Sequence, residues 1–299
     1  MAPESTILVT GRNGQVGFEL QRALAPLGRV VAVDRAECDM SNADAVRELV
    51  RRLAPAVIVN PAAYTAVDKA ESDEAGAFAV NAEAVRALGE EGARLGALVI
   101  HYSTDYVFDG DKAGAYAERD TPNPQSVYGR SKHAGEVLLA ASNPRHLILR
   151  TSWVVGAHGG NFAKTMLRLA AERDRLQVVA DQFGAPTSAA LLADLTAQLV
   201  RQFQREGAAD FPYGRYHVAA AGETSWCEYA RFVVAEALAA GKALKTAPEA
   251  VHAIGSAEYP TPAKRPANSR LDTTLFRDTF GLRLPPWQEG VRHVLQQIF

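Results

Sequence analysis

Short apolar runs alternate with longer amphipathic stretches through the first half of this chain. The runs Thr6–Thr10, Val30–Val33, Ala56–Val59, Ala97–Tyr102 and His146–Arg150 have strand length and β-branched character. Between them, Gln15–Leu27, Asp44–Leu53, Asp73–Leu95 and Val127–Ala141 place apolar residues at helical spacing. Near-continuous apolar strands separated by helices predict a parallel sheet covered on both faces, with right-handed crossovers. The expected fold class is α/β, a doubly wound sheet. After about Trp153 the rhythm changes. Asn161–Glu172, Ala189–Arg205 and Ser225–Ala240 read as helices and Tyr216–Ala219 as a short strand. Pro248, Pro260, Pro262 and Pro266 then mark a long structured loop region. Residues 1–153 are expected to form the sheet domain. Residues 154–299 should form a smaller, mixed α/β part, mainly substrate-binding, some of whose segments return to the first domain. The cleft belongs between the two, beyond the carboxyl ends of the strands.

Composition narrows the class. Of 299 residues, 47% are hydrophobic and 22% charged, as in a globular protein with a substantial core. Thirty-two basic against 34 acidic residues leave a net charge of −2, which argues against a nucleic-acid partner. No apolar stretch approaches the ~20 residues that would span a bilayer, so no membrane partner is expected. Met1-Ala2-Pro3-Glu4-Ser5 carries no basic leader, and a cytoplasmic location is the expectation. Cys38 and Cys227 are too few for a disulfide framework or a zinc site.

Candidate chemistry begins at the first strand–helix junction. Gly11-Arg12-Asn13-Gly14-Gln15-Val16-Gly17 spaces three glycines so that a tight turn, close approach of a pyrophosphate and close helix–strand contact all become possible. A Rossmann-type dinucleotide loop has this design, in the spacing GxxGxxG; an ordinary tight turn is the plainer alternative. Asp34 ends the second strand, where a carboxylate can accept from an adenosine ribose hydroxyl. Arg35 follows and suits a 2′-phosphate, so the cofactor is NADH or NADPH. Asp39 and Met40 could border the adenine, or Asp39 could simply lead the next helix.

Tyr128 and Lys132 stand four residues apart on one helix face. A neighbouring ammonium favours the phenolate and should draw the tyrosine pKa from about 10 towards neutrality. Such a phenol can protonate a carbonyl oxygen that is receiving a hydride. Thr104, at the end of the strand His101-Tyr102-Ser103, can hydrogen-bond the same oxygen. Thr104, Tyr128 and Lys132 are therefore the catalytic candidates.

In this combination the chain resembles the extended short-chain dehydrogenase/reductase family. Thr10–Gly17, Asn60–Glu71, His101–Phe108, Tyr128–Lys132, Arg150–Trp153, Asn161–Lys164, Asp181–Thr187 and Arg265-Pro266 carry the likeness. Within that family it is most similar to reductases of dTDP-4-keto sugars. The resemblance implies that Ala62, Ala63 and Tyr64 line the nicotinamide half of the cofactor, with Tyr128 and Lys132 also touching it. It implies a dTDP-sugar pocket of Val67, Thr104, Asp105, Tyr106, Tyr128 and Trp153, and a diphosphate contact from Arg265. Core packing would equally explain the alanines and Trp153, and a loop charge would explain Arg265. Two other readings stand beside the reductase. One is a dehydratase or epimerase that retains NAD, but elimination needs an Asp-Glu pair where this chain has Asp105-Tyr106. The other is a non-catalytic regulatory subunit of the kind associated with methionine adenosyltransferase. Some relatives bridge a dimer through magnesium. Here Ala190 stands where their glutamate is expected, Gln15 is a poor substitute, and Asp194 and Glu289 read as solvated or capping groups. The expectation is no metal, and a monomer or a metal-independent homodimer.

Overall fold

The apolar runs pack as buried strands at the centre of the molecule, which is a computed structural model describing residues 5–299. In chain order the first half comprises β1 (Thr6–Val9), α1 (Gln15–Leu24), β2 (Arg29–Ala32), α2 (Ala43–Leu53), β3 (Val57–Asn60), α3 (Val67–Ala70), α4 (Glu74–Phe78), α5 (Ala84–Leu95), β4 (Leu98–Thr104), α6 (Val127–Ser142) and β5 (His146–Thr151). The second comprises β6 (Val154–Val155), α7 (Phe162–Glu172), β7 (Leu176–Val179), β8 (Phe183–Gly184), β9 (Thr187–Ser188), α8 (Ala189–Glu206), β10 (Gly214–His217), β11 (Thr224–Ser225), α9 (Trp226–Ala239), β12 (Val251–Ile254), α10 (Thr274–Phe280) and α11 (Trp287–Ile298). The main sheet is parallel throughout, in the order β10-β5-β4-β3-β1-β2.

Successive strand side chains point to opposite faces, and both faces are covered. Ile7, Val9, Val57 and Val59 pack with Leu20 and Leu24 of α1, Leu192 and Leu199 of α8, and Phe276 of α10. Leu8, Ile58, Val99 and Ile148 face α2, α5 and α6 through Val46, Leu88 and Leu139. Each such fully buried aliphatic side chain contributes about 1.5–3 kcal/mol. A second core, with Met166, Tyr229, Val233, Val251 and Val291, joins α7, α9, β12 and α11.

Two details differ from the pattern-based expectation, and a third bears on how the two halves meet. Pro26 converts the end of the first helix into a 3-10 turn over Ala25–Leu27. The stretch Asp73–Leu95 is interrupted by a π turn, Ala79–Glu83, which brings buried Asn81 to the cleft side. β10, from the second half, is an edge strand of the main sheet beside β5. A buried ion pair fixes it there. Arg150 of β5 donates two hydrogen bonds, 2.8 and 2.6 Å, to Glu136 of α6, and Arg215 of β10 lies 3.5 Å from the same carboxylate. Burial pushes the Glu136 pKa up, but these guanidinium contacts win and hold it well below the usual carboxylate range.

Candidate functional site

Open α/β sheets bind ligands beyond the carboxyl ends of their strands, where the strand order reverses. The reversal here lies between β1 and β3, and a cleft of about 990 Å³ opens at it. Its cofactor end is built largely from backbone. Gly11 has φ +61°, a conformation glycine adopts freely, and a Cβ on Gly17 would run into the Gly11 carbonyl. Gly14 caps α1 without a side-chain hydrogen bond, so the first amides of that helix are available to an anion. Asn13, Gln15 and Val16 complete this wall, while Asp34, Arg35, Asp39 and Met40 border its far end. Asp34 accepts from the Ala36 amide, from Asn13 and from Arg12, which together outweigh partial burial and lower its pKa. This donor set, with unpartnered helix amides at one end and a fixed carboxylate at the other, fits a dinucleotide.

Arg12 departs from expectation. It is not part of the wall, because its guanidinium is engaged by Asp34 at 2.9 Å and Glu37 at 3.0 Å. Arg265 is likewise outside the wall, paired with Asp68 of α3 at 2.6 Å. Carboxylates engage both arginines, and Arg265 also hydrogen-bonds Tyr106 of the cleft wall.

Beyond β3, Ala62, Ala63 and Tyr64 line the middle of the cleft. The backbone of Tyr64 is clasped by Asn81, whose Oδ1 accepts the Tyr64 N–H at 2.8 Å and whose Nδ2 donates to the Tyr64 carbonyl at 3.2 Å. Asn81 also donates to Ser131 on α6. Sequence reasoning missed Asn81; its only signal was an amide on the apolar side of a helical stretch.

At the other end β4 delivers Thr104, Asp105 and Tyr106, joined by Val67 and Trp153. The Thr104 hydroxyl donates to Asp105 Oδ1 at 3.0 Å and accepts the Tyr106 amide at 3.2 Å. Burial pushes the Asp105 pKa up to about 6, against hydrogen bonds from Ser269 and Thr104. The Tyr106 ring meets Tyr128 edge-on at 5.4 Å. Trp226, also unforeseen, lines the same end.

Tyr128 and Lys132 both reach the cleft from α6, but the expected lowering of the Tyr128 pKa by the ammonium is not what the structure shows. Burial raises the Tyr128 pKa above that of a free phenol, with the Thr104 hydroxyl opposing. The same burial lowers Lys132 to about 7. Lys132 Nζ donates to the Tyr102 carbonyl at 2.6 Å and lies 3.1 Å from His101 Nε2. Burial dominates at Tyr128, reinforced by the nearby Asp105 carboxylate, and favours the protonated phenol.

Fold and cleft define the class: an extended short-chain dehydrogenase/reductase, with a dinucleotide loop, a strand-end hydroxyl and a tyrosine–lysine helix converging on one cavity. Comparison with known proteins is more specific. The model of the RmlD substrate binding domain family matches residues 5–299. The dTDP-4-dehydrorhamnose reductase of Shigella flexneri is 50% identical, with 98% of each chain covered. Among solved structures, a dTDP-4-dehydrorhamnose reductase of Clostridium acetobutylicum superposes with TM-score 0.89 at 35% identity, covering 97% of this chain and 98% of that one. The Bacillus anthracis dTDP-4-dehydrorhamnose reductase in complex with NADP gives TM-score 0.88 at 34% identity, covering 98% and 99%. The chain belongs to the RmlD substrate binding domain family.

Proposed function

We propose that this protein reduces the C4 ketone of dTDP-6-deoxy-L-lyxo-4-hexulose (dTDP-4-dehydrorhamnose) to dTDP-L-rhamnose, the last step of dTDP-rhamnose synthesis, at the expense of NADH or NADPH. The observation that carries this reading is the convergence of Thr104, Tyr128 and Lys132 on a cleft whose other end suits a dinucleotide. The nicotinamide cofactor supplies the hydride. Tyr128 donates its phenolic proton to the ketone oxygen, and its raised pKa keeps that proton in place near neutral pH. Thr104 hydrogen-bonds the same oxygen and stabilises the charge developing on it. Lys132, held by the Tyr102 carbonyl and beside His101 Nε2, places a cationic group on the same helix face as Tyr128, toward the cofactor. Gly11, Asn13, Gly14, Gln15 and Val16 hold the pyrophosphate, Asp34 the adenosine ribose, Asp39 and Met40 the adenine, and Ala62, Ala63 and Tyr64 the nicotinamide half. Val67, Asp105, Tyr106 and Trp153 hold the sugar nucleotide. Arg12 and Arg265 remain candidates for the pyrophosphate and the substrate diphosphate, each now paired with a carboxylate.

No helix of the described residues is long and apolar enough to cross a membrane, and a cytoplasmic location agrees with the pathway. Gln15 is already engaged by Asn161, and Asp194 by Arg22. On that basis we read the protein as a monomer or a metal-independent homodimer, with activity insensitive to EDTA. The deciding assay mixes protein, NADPH or NADH and the dTDP-4-keto-6-deoxy-L-sugar, follows nicotinamide absorbance and identifies the product. Oxidation of the cofactor with formation of dTDP-L-rhamnose is expected; no oxidation with either cofactor overturns the proposal.

A further inference from the structure

Trp153 is the non-glycine residue with the least comfortable backbone at the cleft. Its φ of +48° lies in the left-handed region, which bulky side chains rarely enter. Such a conformation persists where the surroundings over-determine it. Three contacts do so. The Trp153 carbonyl accepts the Thr187 amide at 3.2 Å. One face of its indole stacks on Trp226, with ring centroids 3.6 Å apart and planes 15° from parallel. Gly184 closes from another side, so tightly that a Cβ there would lie 2.7 Å from the indole Cε2. Trp226 and Gly184 are themselves tied together, because β11, which leads into Trp226, pairs with β8, which ends at Gly184. Phe162 packs against Trp226 behind the pair.

We infer that Trp226 and Gly184 clamp Trp153 and make the stacked indoles a rigid apolar wall of the sugar subsite, which selects a deoxygenated C6, two bonds from the reacting carbon. This rests on the proposed reaction and deepens it. Trp153 lies two residues beyond Thr151, the register partner of Thr104. A ketone held at Thr104 and Tyr128 therefore brings its ring neighbours against this wall. The C6 methyl of the sugar is two bonds from C4. Against an aromatic face it meets no polar loss, whereas a C6 hydroxyl would lose its water without a replacement. A wall of this kind discriminates by about 10- to 100-fold, since an apolar pocket rejects an added hydroxyl only moderately. Trp226 is a positioning residue: it acts through Trp153.

The test has an optical and a kinetic arm. Two indoles stacked this closely couple excitonically, and the free protein is expected to show a couplet in far-ultraviolet circular dichroism. The couplet should vanish in Trp153→Phe and Trp226→Phe and persist in Trp287→Phe. A couplet indifferent to Trp226→Phe overturns the clamp. In kinetics, Trp226→Leu should lower the preference for the 6-deoxy over the 6-hydroxy dTDP-4-keto sugar about tenfold or more, leaving KM for NADPH unchanged. Gly184→Ala should raise KM for the sugar nucleotide more than it lowers kcat. Equal losses on both sugars, or a parallel loss of NADPH binding, would reduce Trp226 to a merely structural residue. If neither sugar is reduced by the wild type, the reaction is wrong, while the optical arm still decides whether the clamp exists.

Discussion

On the proposed assignment, the two ends of the cleft solve recognition by opposite means. The cofactor end uses backbone: glycine turns, helix amides and one braced carboxylate, supported by β1, β2 and α1. The sugar end uses side chains at strand ends: Thr104, buried Asp105, and an indole in a left-handed backbone held by segments far along the chain. A dinucleotide is the same ligand in many proteins, so a standard backbone cradle suffices. A particular sugar demands placed side chains, and their placement costs burial and strain.

The contrast can be tested by variants acting at one end only. The largest effect is expected from Tyr128→Phe, which keeps the ring but removes the proton: turnover should fall about 10²–10⁴-fold while NADPH binding persists. Retained turnover would mean that another group is the acid. At the cofactor end, Gly17→Ala forces a Cβ onto the Gly11 carbonyl. NADPH affinity, measured by calorimetry, should drop at least about tenfold with little change in dTDP binding. If dTDP binding suffers equally, the two ends are not independent.

Asp105→Asn tests the cost of the sugar end. The folded-state pKa is raised to about 6, so the folded protein binds the proton more tightly than the unfolded chain does. Its stability then falls as pH rises from about 4 through 6, where the ionised carboxylate is penalised. The asparagine variant should be more stable than wild type by about 2 kcal/mol near pH 8 and no different near pH 4. Thermal melts at the two pH values check this, and a constant difference would assign the effect elsewhere. The smallest effect is expected for Asp34→Ala, which removes the charge that repels a 2′-phosphate and frees Arg12. The ratio of kcat/KM for NADPH to that for NADH should rise several-fold; an unchanged ratio would show that Asp34 does not face the ribose.

The same division explains what could be read in advance. Features set by local sequence leave local marks: Gly11, Gly14 and Gly17 at the first strand–helix junction, Asp34 after the second strand, and Tyr128 with Lys132 one helical turn apart. The strands of the first half were legible as apolar runs, clearest at β3 and β4, where burial on both faces demands unbroken apolar sequence. What escaped depends on distant partners. Asn81 is recognisable only once its π turn meets Tyr64, and Trp226 only once β8 and β11 pair. The engagement of Arg12 and Arg265 by Asp34 and Asp68 spans 22 and 197 residues, which no local pattern records. The direction of the Tyr128 pKa was misjudged for the same reason, since spacing on a helix reveals a neighbouring charge but not the depth of burial.

The place of β10 in the main sheet has a consequence for how the chain comes into being. Until residue 217 has left the ribosome, β5 presents an unpaired edge, and Arg150 and Glu136 lack Arg215 beside them. Exposed edges of this kind invite pairing with other nascent chains. A gene fragment that stops at residue 153 would leave this edge open, and it is expected to yield a chain captured by chaperones or lost to aggregates unless residues 214–217 are supplied.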